Sequence, residues 1–162
     1  MEIPNEPVGY FITWTVYGTF LQGDSRWWRK KRKGSHCPQP KLERWHRDRL
    51  KHEIILLNEH HRKIVAAEIE FHCEKRQWKL WVANPRKNHV HVVVTAPGYK
   101  GNKVRDQLKA NCTGGLRIED HQSVDRPVWT TKGDVQLLQT DEELERVIEY
   151  VAEAQDRMGR GK

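Results

Sequence analysis

The feature that most constrains this chain is the run His89-Val90-His91-Val92-Val93-Val94-Thr95, preceded by a second alternating run over residues 77–84. Pro85-Arg86-Lys87-Asn88 separates the two. β-branched residues favour extended backbone and Pro and Asn favour turns, so the segment reads as an antiparallel hairpin. Side chains alternate across a strand, which puts Val90, Val92 and Val94 on one face and both histidines on the other. One face is built to pack, and the other carries donors. The same period sets Trp78 and Trp81 on opposite faces of the neighbouring strand.

The rest of the chain supplies elements to surround this hairpin. Residues 10–17 crowd aromatic and β-branched side chains between Gly9 and Gly18 and predict a strand. Residues 18–40 lose periodicity and gather Gly, Pro and charge, which predicts a long, exposed, basic loop. A short helix is expected over 41–51 on Leu42, Trp45 and Leu50, then an apolar piece at 54–57. Asn58 can cap a helix over 59–75, whose Ile64, Val65, Glu68, Ile69 and His72 fall on one stripe. Another helix is expected over 102–112 on Val104 and Leu108, stopped by Gly114-Gly115. A second hairpin is expected between 128–131 and 135–138, around Gly133. In the last helix Thr140 and Glu143 have capping-box spacing, and Leu144, Val147, Ile148 and Val151 make an apolar stripe.

The order β-α-β-β-α-β-α predicts an α+β fold of the ferredoxin-like (RRM-like) kind. It is an antiparallel sheet with helices on one face and a C-terminal helix that carries Tyr150. A length of 162 residues suits one domain spanning 1–162.

Charge narrows the partners. Lys and Arg number 29 against 22 Asp and Glu, a formal +7, which suits a polyanion. No stretch approaches the roughly 20 apolar residues of a spanning helix, and the opening residues 1–7 hold no apolar signal core, so the expectation is no membrane and a cytoplasmic location. Cys37, Cys73 and Cys112 match neither a disulfide framework nor a paired zinc motif. Within the long loop, Arg26, Trp27, Trp28, Arg29, Lys30, Lys31, Arg32 and Lys33 combine adjacent indoles with six cations. Stacking platforms beside neutralising charge suit single-stranded or hairpin DNA, although a solvated charge run has the same composition. Lys103, Arg105 and Lys109 on the second-helix face are further phosphate candidates, or an ordinary exposed helix face.

Two imidazoles on one strand face suit a divalent metal or a phosphate site. Alone, they fit two solvent-facing histidines equally well. The pattern Asn88-His89-Val90-His91-Val92-Val93-Val94, however, resembles the signature of the HUH superfamily, and in particular the REP-associated tyrosine transposases and related single-strand transposases. The opening strand from Tyr10, with Gly18 and Asp24 beyond it, is similar to that family's start. Leu108-Lys109-Ala110, Val128-Trp129-Thr130 and the helical Tyr150-Val151 extend the likeness over about residues 9–155.

The resemblance implies metal-dependent cleavage and rejoining of single-stranded DNA. Tyr150 would be the nucleophile, His89 and His91 would hold Mg²⁺ or Mn²⁺, and a 5′-phosphotyrosine would be the intermediate. It also implies a homodimer. Tyr150 lies roughly 100° from the centre of its helix's apolar stripe, on an accessible flank. The family's third metal ligand stands one turn after the tyrosine, where this chain has Ala154, a departure. Gln155 is favoured in its place, as in similar family members, with a π-bulge or bent helix end to realign it. Glu153 is the alternative. The competing functions are a non-catalytic nucleic-acid-binding module of the same fold, a protein whose histidines hold a structural metal, and an HUH nickase of the replication-initiator or relaxase type. A recognition-motif RNA binder would carry aromatics on its central strands, and a structural zinc site would need four ligands. Here the hairpin strand carries histidines instead, with Trp78 and Trp81 on opposite faces of its neighbour, and no such ligand set is visible.

Overall fold

The computed structural model describes residues 6–18, 41, 54–119 and 126–154. Along them run β1 (Gly9–Thr15), α1 (Glu59–Arg76), β2 (Lys79–Pro85), β3 (His89–Thr95), α2 (Gly101–Glu119), β4 (Asp134–Leu138) and α3 (Asp141–Glu149). A π-turn, Tyr150–Ala154, continues α3. The strands pair antiparallel in the order β2-β3-β1-β4, the ferredoxin-like arrangement that the element order predicts. The helix expected over 41–51 lies outside the described residues, apart from Lys41.

Alternation fixes the main core. Ile12, Trp14 and Val16 from β1 and its extension join Val90, Val92 and Val94 of β3 beneath Val65, Ile69 and Cys73 of α1 and Val104, Leu108, Cys112 and Leu116 of α2. Each fully buried Val, Ile or Leu is worth about 1.5–3 kcal/mol, so this face dominates folding. α1 starts where Asn58 accepts from the His61 amide and the His61 ring accepts from the Asn58 amide, a capping box with histidine at N3. It ends at Gln77, whose φ of 61° is left-handed. Gln77 is therefore a helix cap, and β2 begins later than alternation alone suggests. Pro85 closes β2 without breaking the sheet because β2 is an edge strand.

Two expectations need correction. α2 does not stop at Gly114-Gly115 but continues to Glu119. A side chain at Gly115 would strike Glu68 of α1, with Cγ only 2.7 Å from the added carbon, so glycine lets the helices approach closely. Buried Leu116 rewards the extra turn. This offsets the roughly 1 kcal/mol that a helical glycine costs.

Residues 128–131 and 135–138 likewise do not form a hairpin with each other. Both line the same edge of β1: Val16 bridges Trp129, and residues 9–13 pair with β4. Lys132 and Gly133, at φ 68° and 139°, absorb the irregularity between the two pieces. A methyl at Gly133 would also sit 2.7 Å from the Thr13 carbonyl oxygen. Gly133→Ala is accordingly expected to lower stability by about 1–3 kcal/mol, measurable as a reduced urea midpoint at unchanged m-value. An unchanged midpoint would show that the β1–β4 edge tolerates regular pairing there.

α3 packs on the opposite sheet face. Thr140 Oγ1 accepts from the Glu143 amide at 3.1 Å, as capping-box spacing predicts. Leu144 and Val151 then bury against Val93 and Leu138, with Phe11, Val82, Val147 and Ile148 around them. Among the described residues no helix is long and apolar enough to cross a membrane.

Candidate functional site

Strand register arranges the α3-side face in rows. Val82, Val93, Phe11 and Gln136 form one row across four strands. Asn84, His91, Thr13 and Asp134 form the next, and His89 with Thr15 the one beyond. α3 runs along this face. Its Leu144 lies against Gly9, and the π-turn at its end reaches Asn84 of the histidine row. α3 thus covers the Gly9 end of the face, and the π-turn reaches the row that holds His91.

The imidazoles of His89 and His91 stand 4.7 Å apart between centroids, at 69°. Each Nδ1 has a neighbour: His89 Nδ1 donates to Asn88 Oδ1 at 2.6 Å, and His91 Nδ1 meets Thr13 Oγ1 at 2.8 Å. Donation from Nδ1 leaves the lone pair on Nε2, the form in which an imidazole binds a metal. Burial, reinforced by the Arg86 guanidinium, holds His91 down to about 4. His91 is therefore neutral near pH 7. His72, the buried histidine of α1, differs: its ring lies between Gln107 at 2.8 Å and Asn111 at 3.0 Å and ties α1 to α2.

Tyr150 is 44% exposed, and among the four tyrosines it alone is largely open to solvent. Phe11 connects it to the histidines, with ring centroids 5.3 Å from His91 and 6.3 Å, edge-on, from Tyr150. The π-turn begins at this residue, so the helix end does change geometry where realignment was expected. Gln155 and the Glu153 side chain lie outside the described residues. Among the described residues no three His, Cys, Asp or Glu gather as a metal site. Asn88 sets the His89 Nδ1 as a donor, and two imidazoles on one strand face fit a divalent ion completed by other oxygens.

The basic candidates separate. Residues 26–33 lie outside the described residues. Lys103 is exposed in the first turn of α2. Arg105, in contrast, is 9% exposed and donates to the Gly133 carbonyl at 3.2 Å and to Asp106. Lys109 donates to the carbonyls of Thr130 and Lys132, and burial, with Arg105 nearby, lowers it to about 8. These two cations satisfy carbonyls of the irregular connection before β4 rather than forming an exposed row. Cys73 and Cys112 are buried and their thiols are pushed up by desolvation, so both are inert. Sequence reasoning missed Thr13, Asn84 and Phe11. Register was the missing signal, since pairing of β1 and β2 with β3 is what sets them beside His91 and Val93.

The fold and site define a ferredoxin-like sheet with a histidine pair on the face beneath a C-terminal, tyrosine-bearing helix. No protein-family model and no curated protein sequence matches the chain. Among solved structures it is similar to a REP-associated tyrosine transposase bound to a REP hairpin, with a TM-score of 0.53 and 12% identity over 98% of this chain and 72% of that one. At that identity the likeness is one of fold.

Proposed function

We propose that this chain cuts and rejoins single-stranded DNA as a transposase-like, single-tyrosine HUH enzyme. One observation carries the reading: Tyr150 and His91, far apart in sequence, both pack against the same Phe11 ring. In the forward step the Tyr150 oxygen attacks phosphorus and its proton leaves. The P–O3′ bond breaks, and the departing oxygen takes up a proton as a free 3′-hydroxyl while the 5′ phosphate stays on the tyrosine. The reverse step rejoins strands without external energy, because the phosphodiester is conserved as a phosphotyrosine.

His89 and His91 would hold Mg²⁺ or Mn²⁺ through Nε2, with Gln155, or else Glu153, as third ligand. The π-turn Tyr150–Ala154 is the change of helix geometry on which the preference for Gln155 depends. When bound, the ion supplies charge neutralisation at the phosphoryl oxygens. Thr13 and Asn88 orient the two imidazoles. Residues 26–33 and Lys103 would hold the DNA, in keeping with the chain's +7 charge.

Incubation with a broad pool of single-stranded and hairpin DNA in Mn²⁺ should trap a protein–DNA adduct that survives denaturant and disappears with EDTA. If DNA binds but no adduct forms across such pools, the chain is a non-catalytic nucleic-acid-binding module.

A further inference from the structure

Asn84 stands in the histidine row, directly across the β2–β3 ladder from His91. Residues directly opposite in an antiparallel pair project from the same face, so the Asn84 amide shares the surface of the two imidazoles. It does not point at them alone. Asn84 Nδ2 donates to the main-chain carbonyl of Val151 at 3.1 Å. Val151 is the second residue of the π-turn that begins at Tyr150, and its own side chain is fully buried beside Val93 and Leu138.

We propose that Asn84 is a positioning residue: it straps the turn bearing Tyr150 to the strand pair bearing the histidines, and so fixes where the phenol stands relative to them. This inference rests on the reading of Tyr150 as the nucleophile. A π-turn is a rare way to continue a helix, and its place against the sheet needs a contact to fix it. The Asn84 amide gives the Val151 carbonyl such a contact from the sheet. The sheet beneath is a regular support, because β2 and β3 pair along their length apart from a register shift between Leu80 and Val82. The strap crosses between two parts of one chain. It holds the tyrosine near that chain's own His91, since both rings pack against Phe11. Reactivity of this kind is steep in distance, a misplacement of about 1 Å costing on the order of 10²-fold.

The test uses the full chain and three variants. Asn84→Ala removes the amide, Asn84→Asp keeps its size but loses the donor, and Asn84→Gln keeps a donor on a longer arm. Under single-turnover conditions in Mn²⁺, Asn84→Ala and Asn84→Asp should each slow adduct formation by about 10²-fold, with Asn84→Gln recovering part of the loss. Mn²⁺ affinity and DNA affinity should stay at wild-type values. Amide hydrogen exchange should quicken at residues 150–154 and remain unchanged in the β2–β3 ladder.

Wild-type rates in both donor-less variants would overturn the proposal. So would slow cleavage with unaltered exchange at 150–154 and weakened Mn²⁺ binding, which would place Asn84's action on His91 instead. If wild type forms no adduct at all, the functional reading fails on its own account. The exchange measurement then still decides the strap: faster exchange at 150–154 in Asn84→Asp sustains it, and unchanged exchange removes it.

Discussion

Replacing Tyr150 with phenylalanine is expected to eliminate covalent capture of DNA while leaving fold and DNA affinity in place. The substitution deletes one oxygen from a side chain that is 44% exposed and keeps the ring that packs edge-on against Phe11. Surface changes of this kind alter stability by about 0.5 kcal/mol or less, so the melting curve should barely move. The chemical effect should be complete, because Tyr10 and Tyr99 lie on the other side of the sheet, Tyr17, just past β1, is half-buried, and it is Tyr150 that shares the Phe11 contact with His91. Tyr10 is 6% exposed, points into the α1/α2 side of the sheet, and donates its hydroxyl proton to the Tyr99 carbonyl at 2.7 Å. Burial, with Glu6 nearby, raises its pKa and makes it a poorer nucleophile still. Tyr99 packs edge-on against Trp78 on that same side. The measurement is a denaturing gel of wild type and Tyr150→Phe with labelled single-stranded DNA in Mn²⁺. A band of equal intensity in the variant would end the assignment of Tyr150 as nucleophile.

The fold was legible in the sequence wherever local pattern and burial agree. Alternation in His89–Thr95, broken by Val93 alone, gave both the strand and the face of each side chain, because a half-buried strand cannot slip by one residue without exposing its core set. Thr140 and Glu143 marked the start of α3 because a cap acts within one turn. The misreadings arose where a distant contact overrides a local preference. Gly114-Gly115 looks like a stop, but Glu68 of α1 lies against that side of α2 and Leu116 is buried just beyond. Residues 128–138 look like a hairpin, yet the unpaired edge of β1 offers more ladder to both halves than they could offer each other.

The site divides in the same way. The histidine pair and a flank-facing tyrosine follow from periods of two and 3.6 residues. What joins them does not. Phe11, Thr13 and Asn84 carry no motif, and each gains its place only from register, across the β2–β3 hairpin for Asn84 and between strands far apart in the chain for Phe11 and Thr13. Arg105 and Lys109 show the converse, since their spacing on a helix suggests a phosphate-facing row and the folded chain gives them carbonyls to satisfy.

His91→Ala is expected to weaken Mn²⁺ binding by more than about 10²-fold and to abolish adduct formation. Loss of a residue that merely orients a metal-binding histidine costs about 10- to 100-fold, and removal of one of two imidazoles should exceed that. The fold should persist, because the main core lies on the other face of β3 with Val90, Val92 and Val94, all 0% exposed. Stability will fall nonetheless by about 1 kcal/mol, since His91 packs against Phe11 and meets Thr13. Metal linkage separates these effects. An ion that binds only the folded chain adds about 2.7 kcal/mol at a hundredfold excess over its Kd, so Mn²⁺ should raise the melting temperature of wild type and leave that of His91→Ala unmoved. His60→Ala is the control: His60 lies at the exposed start of α1, 3.9 Å from Glu119 and away from the histidine row, and its loss should leave the Mn²⁺ shift intact. A full Mn²⁺ shift in His91→Ala would place the metal elsewhere, and the pair on β3 would then be two strand histidines and nothing more.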